Sequence, residues 1–419
     1  MAISPELLCN LVVLFQCLIT LILLVRTPKG SILRWICLPS LVCMAYLEGV
    51  FVKISNHNVF AKVTVSGMPF TTIIQLINLL LVTSIDLTEQ PGTTRDKLVS
   101  AFAILQTFRG IGTKWQAKNI PEFPLILKRN PPSRAQFIRR QMAIVIWEAL
   151  ALVLVLISFV PYIKPDHNGA YLYGPGREFL YAGSSIEQLL ARVKAAFILG
   201  FPGSMLFLDS SYRIGSVLAI GAGISKVGSW PPVFGSLQES YTVRGFWGKF
   251  WHQYLRWPYT SVSTAITCRI LRLPKPSIIE RYTNLTIVFA LSATMHVVTN
   301  IVSGVEGGNT GTMLFFLSQA GAIAFEDTVQ HCWAALQQGK KFGAAETPLW
   351  QRCVGFMWLF CWLGATFPWW WYPIIRVLGA YDWSEMLDVV QRLGLTKSNL
   401  SAMVVGGGVF LRITFGAEI

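Results

Sequence analysis

The sequence predicts an all-α fold: a multi-pass transmembrane helical bundle of about eight to nine spans enclosing an internal cavity. Three observations predict it. The chain is 53% hydrophobic and 13% charged, against about 25% charged in an ordinary soluble domain. Apolar runs of spanning length recur along the whole chain. The Lys and Arg behind the net charge of +14 collect between those runs, as the positive-inside rule requires. That placement explains the basic balance without nucleic acid and makes membrane lipid the expected surroundings. A single integral-membrane domain over 1–419 accommodates all of it.

The first apolar run, 7–25, is followed by Arg26 and Lys29. Positive charge behind the run reads as a retained span with a cytosolic C-terminal end. The second run, 32–52, is interrupted by Pro39 and Glu48, and the third covers 68–85. From 86 to 140 the chain is polar, basic and rich in Gly and Pro. This segment is placed on the cytosolic side, without one continuous helix. Within it, RGIGTKWQ offers Arg109, Lys114 and Trp115 on a loop freed by two glycines. Contact with lipid headgroups explains that loop as well as ligand binding does, and its GxG is too short for a nucleotide fingerprint.

The next span is 143–160. Segment 161–188 is polar and Gly-rich, with Tyr171, Tyr173 and Tyr181. Run 195–224 is broken by Gly200, Pro202, Asp209 and Arg213, so it is one kinked span or two. From Trp230 to Pro276 the chain is aromatic and basic. Phe246, Trp247, Phe250, Trp251 and Tyr254 recur at helical spacing, which predicts a helix lying in the interface with an aromatic face. Arg244, Lys249 and Arg256 supply charge, and His252 points from this segment toward the cavity. Run 282–303 carries His296. Run 312–335 carries Gln319, Glu326, Asp327 and His331, followed by Lys340 and Lys341. Its charged residues lie near one end, where an interfacial role is commoner than a catalytic one. Run 353–375 ends in the aromatic belt PWWWYP, and 403–413 is short for a span.

The eight cysteines lie almost all in apolar runs, where Cys behaves as a small hydrophobe. None has zinc-ligand spacing, so neither a metal nor a disulfide framework is expected.

His296 carries the functional argument. An ionisable side chain within a span is costly and marks a functional site by default. Asn284, Ser292, His296 and Asn300 recur at multiples of four, so the last three are neighbours on one wet stripe. Such a stripe faces other helices or a cavity. Interhelical hydrogen bonding is the plainer use of the same residues.

Three blocks carry a resemblance: RGIGTKWQAKNIP at 109–121, WPPVFGSLQESYTVRGFWGKFWHQYLR at 230–256, and LSATMHVV at 291–298. Together they resemble the wax synthase-like branch of the membrane-bound O-acyltransferase superfamily. More narrowly, they resemble its fungal acetyltransferases of terpenoid and meroterpenoid biosynthesis. The signature lies within about 230–304. The resemblance implies transfer of an acetyl or other short acyl group from acyl-CoA to a hydroxyl of a hydrophobic small molecule. The cavity then serves acyl transfer, with acetyl-CoA as cosubstrate and no resident cofactor. The superfamily's intramembrane histidine maps onto His296, and its upstream polar partner onto His252, where Asn is commoner in the wider superfamily.

On that reading His296 is the general base, and Ser292 or Asn300, one turn away, fixes its tautomer. His252 binds the thioester carbonyl or orients the acceptor. Arg109, Lys114, Arg244, Lys249 and Arg256 meet the phosphates of coenzyme A, with Trp115, Trp247 and Trp251 beside them. No GxSxG elbow is present, so direct transfer is expected. The alternatives are a long-chain wax or sterol ester synthase and, in another class, a small-molecule transporter. The endoplasmic reticulum is the expected membrane.

Overall fold

The computed structural model describes residues 3–165, 169–180, 183–336 and 347–416. Tyr181, Lys340 and Lys341 lie outside the described residues. Twelve of its helices are labelled here: α1 Pro5–Arg26, α2 Ile32–Ile54, α3 Met68–Ile77, α4 Thr94–Gln106, α5 Arg134–Ile163, α6 Ile186–Gly221, α7 Arg256–Ala265, α8 Ile278–Ser303, α9 Asn309–Leu336, α10 Leu349–Ala380, α11 Ser384–Arg392 and α12 Lys397–Phe415. Among the described residues there is no strand. Eight helices are long and apolar enough to cross a membrane: α1, α2, the Ala61–Val82 stretch containing α3, α5, α6, α8, α10 and α12.

Two expectations change. α9 is 28 residues long, yet Gln319, Glu326 and Asp327 leave it outside the apolar set. The short final run instead belongs to a 19-residue helix that qualifies. The broken run at 195–224 is one helix, α6, widened by a π segment at Ala195–Gly200.

The chain divides into two compact units. The first comprises 1–117 and 254–328, and the second 118–253 and 329–419. In the first unit, α1 and α2 pack through Leu23, Leu24 and Leu41 against Leu76, Leu79 and Leu80. Arg34, 1% exposed, clamps the chain where it leaves α1 and α3. Its Nη2 donates to Thr27 O and Ile85 O, both at 2.7 Å, and its Nε to Thr27 Oγ1 at 2.9 Å. Those carbonyls have lost their helical partners, and the guanidinium fork supplies replacements.

The segment at 86–140 contains no single continuous helix, in keeping with its Gly and Pro content. Its first part forms α4, nucleated by a capping box between Thr93 and Asp96. Ala101 and Leu98 of α4 pack into the cluster of Leu23, Leu24 and Val25. At its other end, Leu105, Gln106 and Phe108 share a cavity wall with Val13, Gln16 and Cys17. α4 therefore runs antiparallel along α1 and stops half-way up it.

In the second unit α5 is flanked by α6 and α12. Trp147 of α5 donates to Val404 O at 2.7 Å. Gly407 faces that indole so closely that a Cβ would lie 2.9 Å from it. Between α5 and α6, Arg213 binds Asp209 at 2.6 Å, Glu148 at 3.2 Å and Gln141 at 2.6 Å. Charges within spans persist when they pair in this way.

Candidate active site

His296 sits in the C-terminal third of α8, two turns before its end. Ser277 caps the start of that helix by accepting from Glu280 N at 3.1 Å, and Gly304 ends it in the left-handed conformation (φ +77°). The imidazole is half-buried and lies flat on Phe316 of α9, with centroids 4.7 Å apart and planes inclined by 10°. One turn away, Asn300 Nδ2 donates to Thr312 Oγ1 at 3.0 Å. Thr312 and Phe316 are themselves one turn apart, so two matched contacts zip α8 to α9 around the histidine. Asn300 thus commits one of its two amide N–H groups to α9, which leaves the other and the side-chain oxygen for any tautomer-fixing role. Ser292 is half-buried on the same stripe.

The remainder of the stripe is helix–helix glue. Asn284 donates to Thr264 Oγ1 at 3.2 Å, and Ser303 to Ser66 Oγ at 3.1 Å. Asp327 accepts from Tyr282 OH at 2.7 Å and from Arg281 at 3.0 Å, an ion pair at the helix end.

Also in the first unit, the RGIGTKW block is a compact turn. Gly110 (φ +62°) leaves room for Trp115 O, which a Cβ would approach to 2.9 Å. Ala117 N closes the turn on Arg109 O at 2.9 Å. Trp257 N donates to Phe108 O at 3.1 Å, and the Trp257 ring stacks on Trp115 at 6.0 Å. Arg109 is buried, and Arg256 adjoins Trp257 at the start of α7. Burial lowers the Arg256 guanidinium to about 10, so it stays charged at neutral pH. Lys114 is exposed and lies 4.9 Å over Trp115. The structure thus brings Trp115 to Trp257, with Arg109, Lys114 and Arg256 next to them in sequence.

In the second unit, the FWGKFWH block is helical as its spacing predicts, but the helix stops at Phe250, short of Tyr254. It is a single helical turn, Val243–Gly245, widened into a π segment, Phe246–Phe250. The backbone then extends at Trp251. Extension is needed because the next residues pair with the WPPVFG block. Gln253 N donates to Val233 O at 3.1 Å, and Gly235 N to Phe250 O at 2.9 Å. Gly235 is required there, since a Cβ would strike Lys249 O. The aromatics form a buried nest. Phe201 packs edge-on against Trp251 (5.0 Å) and Phe246 (5.2 Å), and tilted on Phe367 (4.4 Å). Trp247 reaches the same Phe201 at 6.5 Å. His252 is half-buried against Phe234 and Trp251. Lys249 is exposed and paired with Glu239 at 2.5 Å. Arg244 is half-buried in the same block.

Thr312 and Phe316 escaped the sequence reading. Their only signal is a four-residue spacing at the apolar start of a run whose charged residues lie at its other end. Gln16, Thr20 and Gln75, buried at 4%, 0% and 1% exposure, escaped it too; each is a single polar residue among apolar neighbours.

The sequence profile of the membrane bound O-acyl transferase family matches residues 230–318. Acetyltransferase pyr8 of Aspergillus fumigatus is 35% identical over 411 residues, covering 96% of this chain and 94% of the relative. Acetyltransferase atnC of Arthrinium sp is 34% identical, covering 98% and 97%. Acetyltransferase cdmC of Talaromyces verruculosus is 34% identical, covering 96% of each. No solved structure matches the chain.

Proposed function

From the premise that the chain belongs to the membrane bound O-acyl transferase family, we propose that it transfers an acetyl group from acetyl-CoA to a hydroxyl of a terpenoid or meroterpenoid. The observation that carries the reading is His296, an imidazole in a membrane-spanning helix, laid flat on Phe316 inside the matched region. The curated relatives, named as acetyltransferases along their whole length, support the short donor.

An alcohol is a weak nucleophile at neutral pH and needs a base aligned with its proton. Neutral imidazole, with an ordinary pKa of about 6.5, suits that task. His296 takes the hydroxyl proton as the alcohol oxygen bonds to the thioester carbonyl carbon. The tetrahedral intermediate collapses by breaking the C–S bond. The sulfur leaves with the proton from His296, so ester and free CoA are the products and the base is restored. Stacking on Phe316 fixes the ring plane, which confines the two nitrogens to a defined direction. Ser292 and the Asn300 amide are the supporting groups on the same stripe.

Arg109, Lys114 and Arg256 are the first unit's candidates for the donor's phosphates as charge-assisted contacts. Trp115 gives a flat face beside them. In the second unit, Arg244, Trp247, Lys249 and Trp251 are kept as candidates, Lys249 only where a ligand displaces Glu239. His252 is the second histidine of the reaction, and His252→Asn tests it separately. The endoplasmic reticulum is the proposed membrane.

The test is microsomes carrying the chain, radiolabelled acetyl-CoA and an extract of hydroxylated terpenoids, beside His296→Ala. Labelled ester should form with the intact chain and fall roughly 10²- to 10⁴-fold in the variant. Equal label in both would reject His296 as the base. If acetyl-CoA gives no ester and palmitoyl-CoA does, the donor assignment is wrong.

A further inference from the structure

The first unit holds a cavity of about 100 Å³ that none of the residues considered so far for acyl transfer lines. Its walls come from α1, α3 and the end of α4. Gln16, Thr20, Gln75 and Gln106 face it beside apolar Val13 and Phe108. Buried glutamines and threonines within spans tie helices together or line cavities; here Gln16 and Gln75 hydrogen-bond to neighbouring segments and also line the cavity.

The hydrogen bonds of the walls define what the cavity accepts. One N–H of the Gln16 amide goes to Leu41 O at 2.9 Å, and the Thr20 hydroxyl proton goes to Gln16 O at 2.7 Å. Gln75 is engaged at both ends, donating to Leu105 O at 3.3 Å and accepting from Asn78 at 3.3 Å. What remains is one amide N–H and the side-chain oxygen of Gln16, together with the acceptor oxygen of Thr20. No lining residue is charged, so a cationic donor has no counter-ion. A neutral hydroxyl is the matching group. Val13, at the rim, is 46% exposed on the outer face of α1, so the mouth opens where an oily molecule arrives from the bilayer. A void of this size holds about one ring, so the hydroxyl-bearing end enters and the remainder lies along α1.

We propose that this cleft between α1, α3 and α4 is a docking site for the hydroxylated acceptor, binding its free hydroxyl through Gln16 and Thr20. The inference rests on the acetyltransferase reading for the identity of the ligand. The cleft lies on the far side of α3 from α8: Ile74 of α3 faces Leu291, whereas Gln75 and Leu76 face the cavity. It is therefore distinct from the His296 stripe and serves capture of the alcohol.

Cys17 lines the cavity and reports its occupancy without turnover. The test uses full-length His296→Ala chain in microsomes, with every cysteine except Cys17 replaced by serine. Alkylation of Cys17 by N-ethylmaleimide is timed with farnesol, with β-farnesene, which lacks the hydroxyl, and with ergosterol. Farnesol should slow the reaction at least threefold and β-farnesene should not. Gln16→Leu should abolish the protection. In the catalytically intact chain, Gln16→Leu with Thr20→Val should raise KM for the acceptor about tenfold and leave kcat and KM for acetyl-CoA unchanged, the pattern of lost uniform binding. Equal slowing by β-farnesene, slowing by ergosterol alone, or no slowing overturns the proposal. Acetylation that persists without Cys17 protection rejects the cleft alone. Protection in a chain that acetylates nothing rejects the functional reading alone.

Discussion

Gly200→Ala is a stringent test of the aromatic nest that holds the FWGKFWH block. Gly200 closes the π segment of α6, and a Cβ there would overlap the edge of the Phe367 ring and lie 2.8 Å from Ala195 O. Phe367 is 1% exposed and cannot move outward freely. Forcing one methyl into such a site costs about 1–3 kcal/mol. The better helix propensity of Ala returns about 0.5–1 kcal/mol, which leaves a net loss of about 0–2.5 kcal/mol, toward the upper end here because the ring and the carbonyl are both met. At about 2–4 °C per kcal/mol, thermal unfolding in detergent should occur a few degrees lower. The displaced Phe367 ring pushes on Phe201, which touches Trp251, so acetyl transfer should fall together with stability. Phe367→Leu in the same chain should relieve the overlap. The double variant should then be more stable than the two single losses summed, by about 1 kcal/mol. Unchanged unfolding for Gly200→Ala, or strict additivity of the pair, would refute the packing argument.

The remaining predictions concern the two site regions and the clamp. Phe316→Leu should lower kcat about tenfold with KM for acetyl-CoA unchanged, and Phe316→Tyr should restore it; in a His296→Ala background Phe316→Leu should have no further effect, because the two act as one unit. Lys249→Ala should raise KM for acetyl-CoA by no more than about fivefold, since an exposed pair contributes about 0–1 kcal/mol and Glu239 must first be displaced; an unchanged KM would remove Lys249 from the donor site. Arg256→Ala should raise that KM about tenfold, and in the intact chain KM should climb as pH passes about 10, where Arg256 loses its proton; a flat KM up to pH 11 excludes this side chain from phosphate binding. Arg34→Met should lower folded yield or unfolding temperature by removing several buried hydrogen bonds at about 1 kcal/mol each, and an unchanged melt would show that those carbonyls find other partners.

The spans and His296 were legible because both follow from transfer free energy. A stretch such as 282–303 announces itself by apolarity, and a histidine within it by its cost. The shape of 243–253 was not legible. Helical spacing of Phe246, Trp247, Phe250 and Trp251 is real, but tertiary pairing of Gln253 with Val233 and of Gly235 with Phe250 overrides it and draws the chain out at Trp251. α4 was hidden for a related reason. Its sequence is too polar for a span, and only its packing on Leu23–Val25 identifies it as a short helix laid along α1. Asn284 and Asn300 look alike in the sequence. One ties α8 to the α7 region and the other ties it to α9 beside His296, a distinction that requires the partner's position.

The Arg213 network has a consequence for how the protein enters the membrane. α6 brings Asp209 and Arg213 into a span whose mean hydropathy is only 1.4, against 2.7 for α5. Each charge near a span centre opposes insertion by about 2.5–3.5 kcal/mol. Because the two residues are four apart, they neutralise one another within a single helical turn and can cross as one dipole. In the folded protein Glu148 of α5 accepts from Ser210 and pairs with Arg213. The residues that make α6 costly to insert are thus the ones that fasten it to α5 in the folded protein.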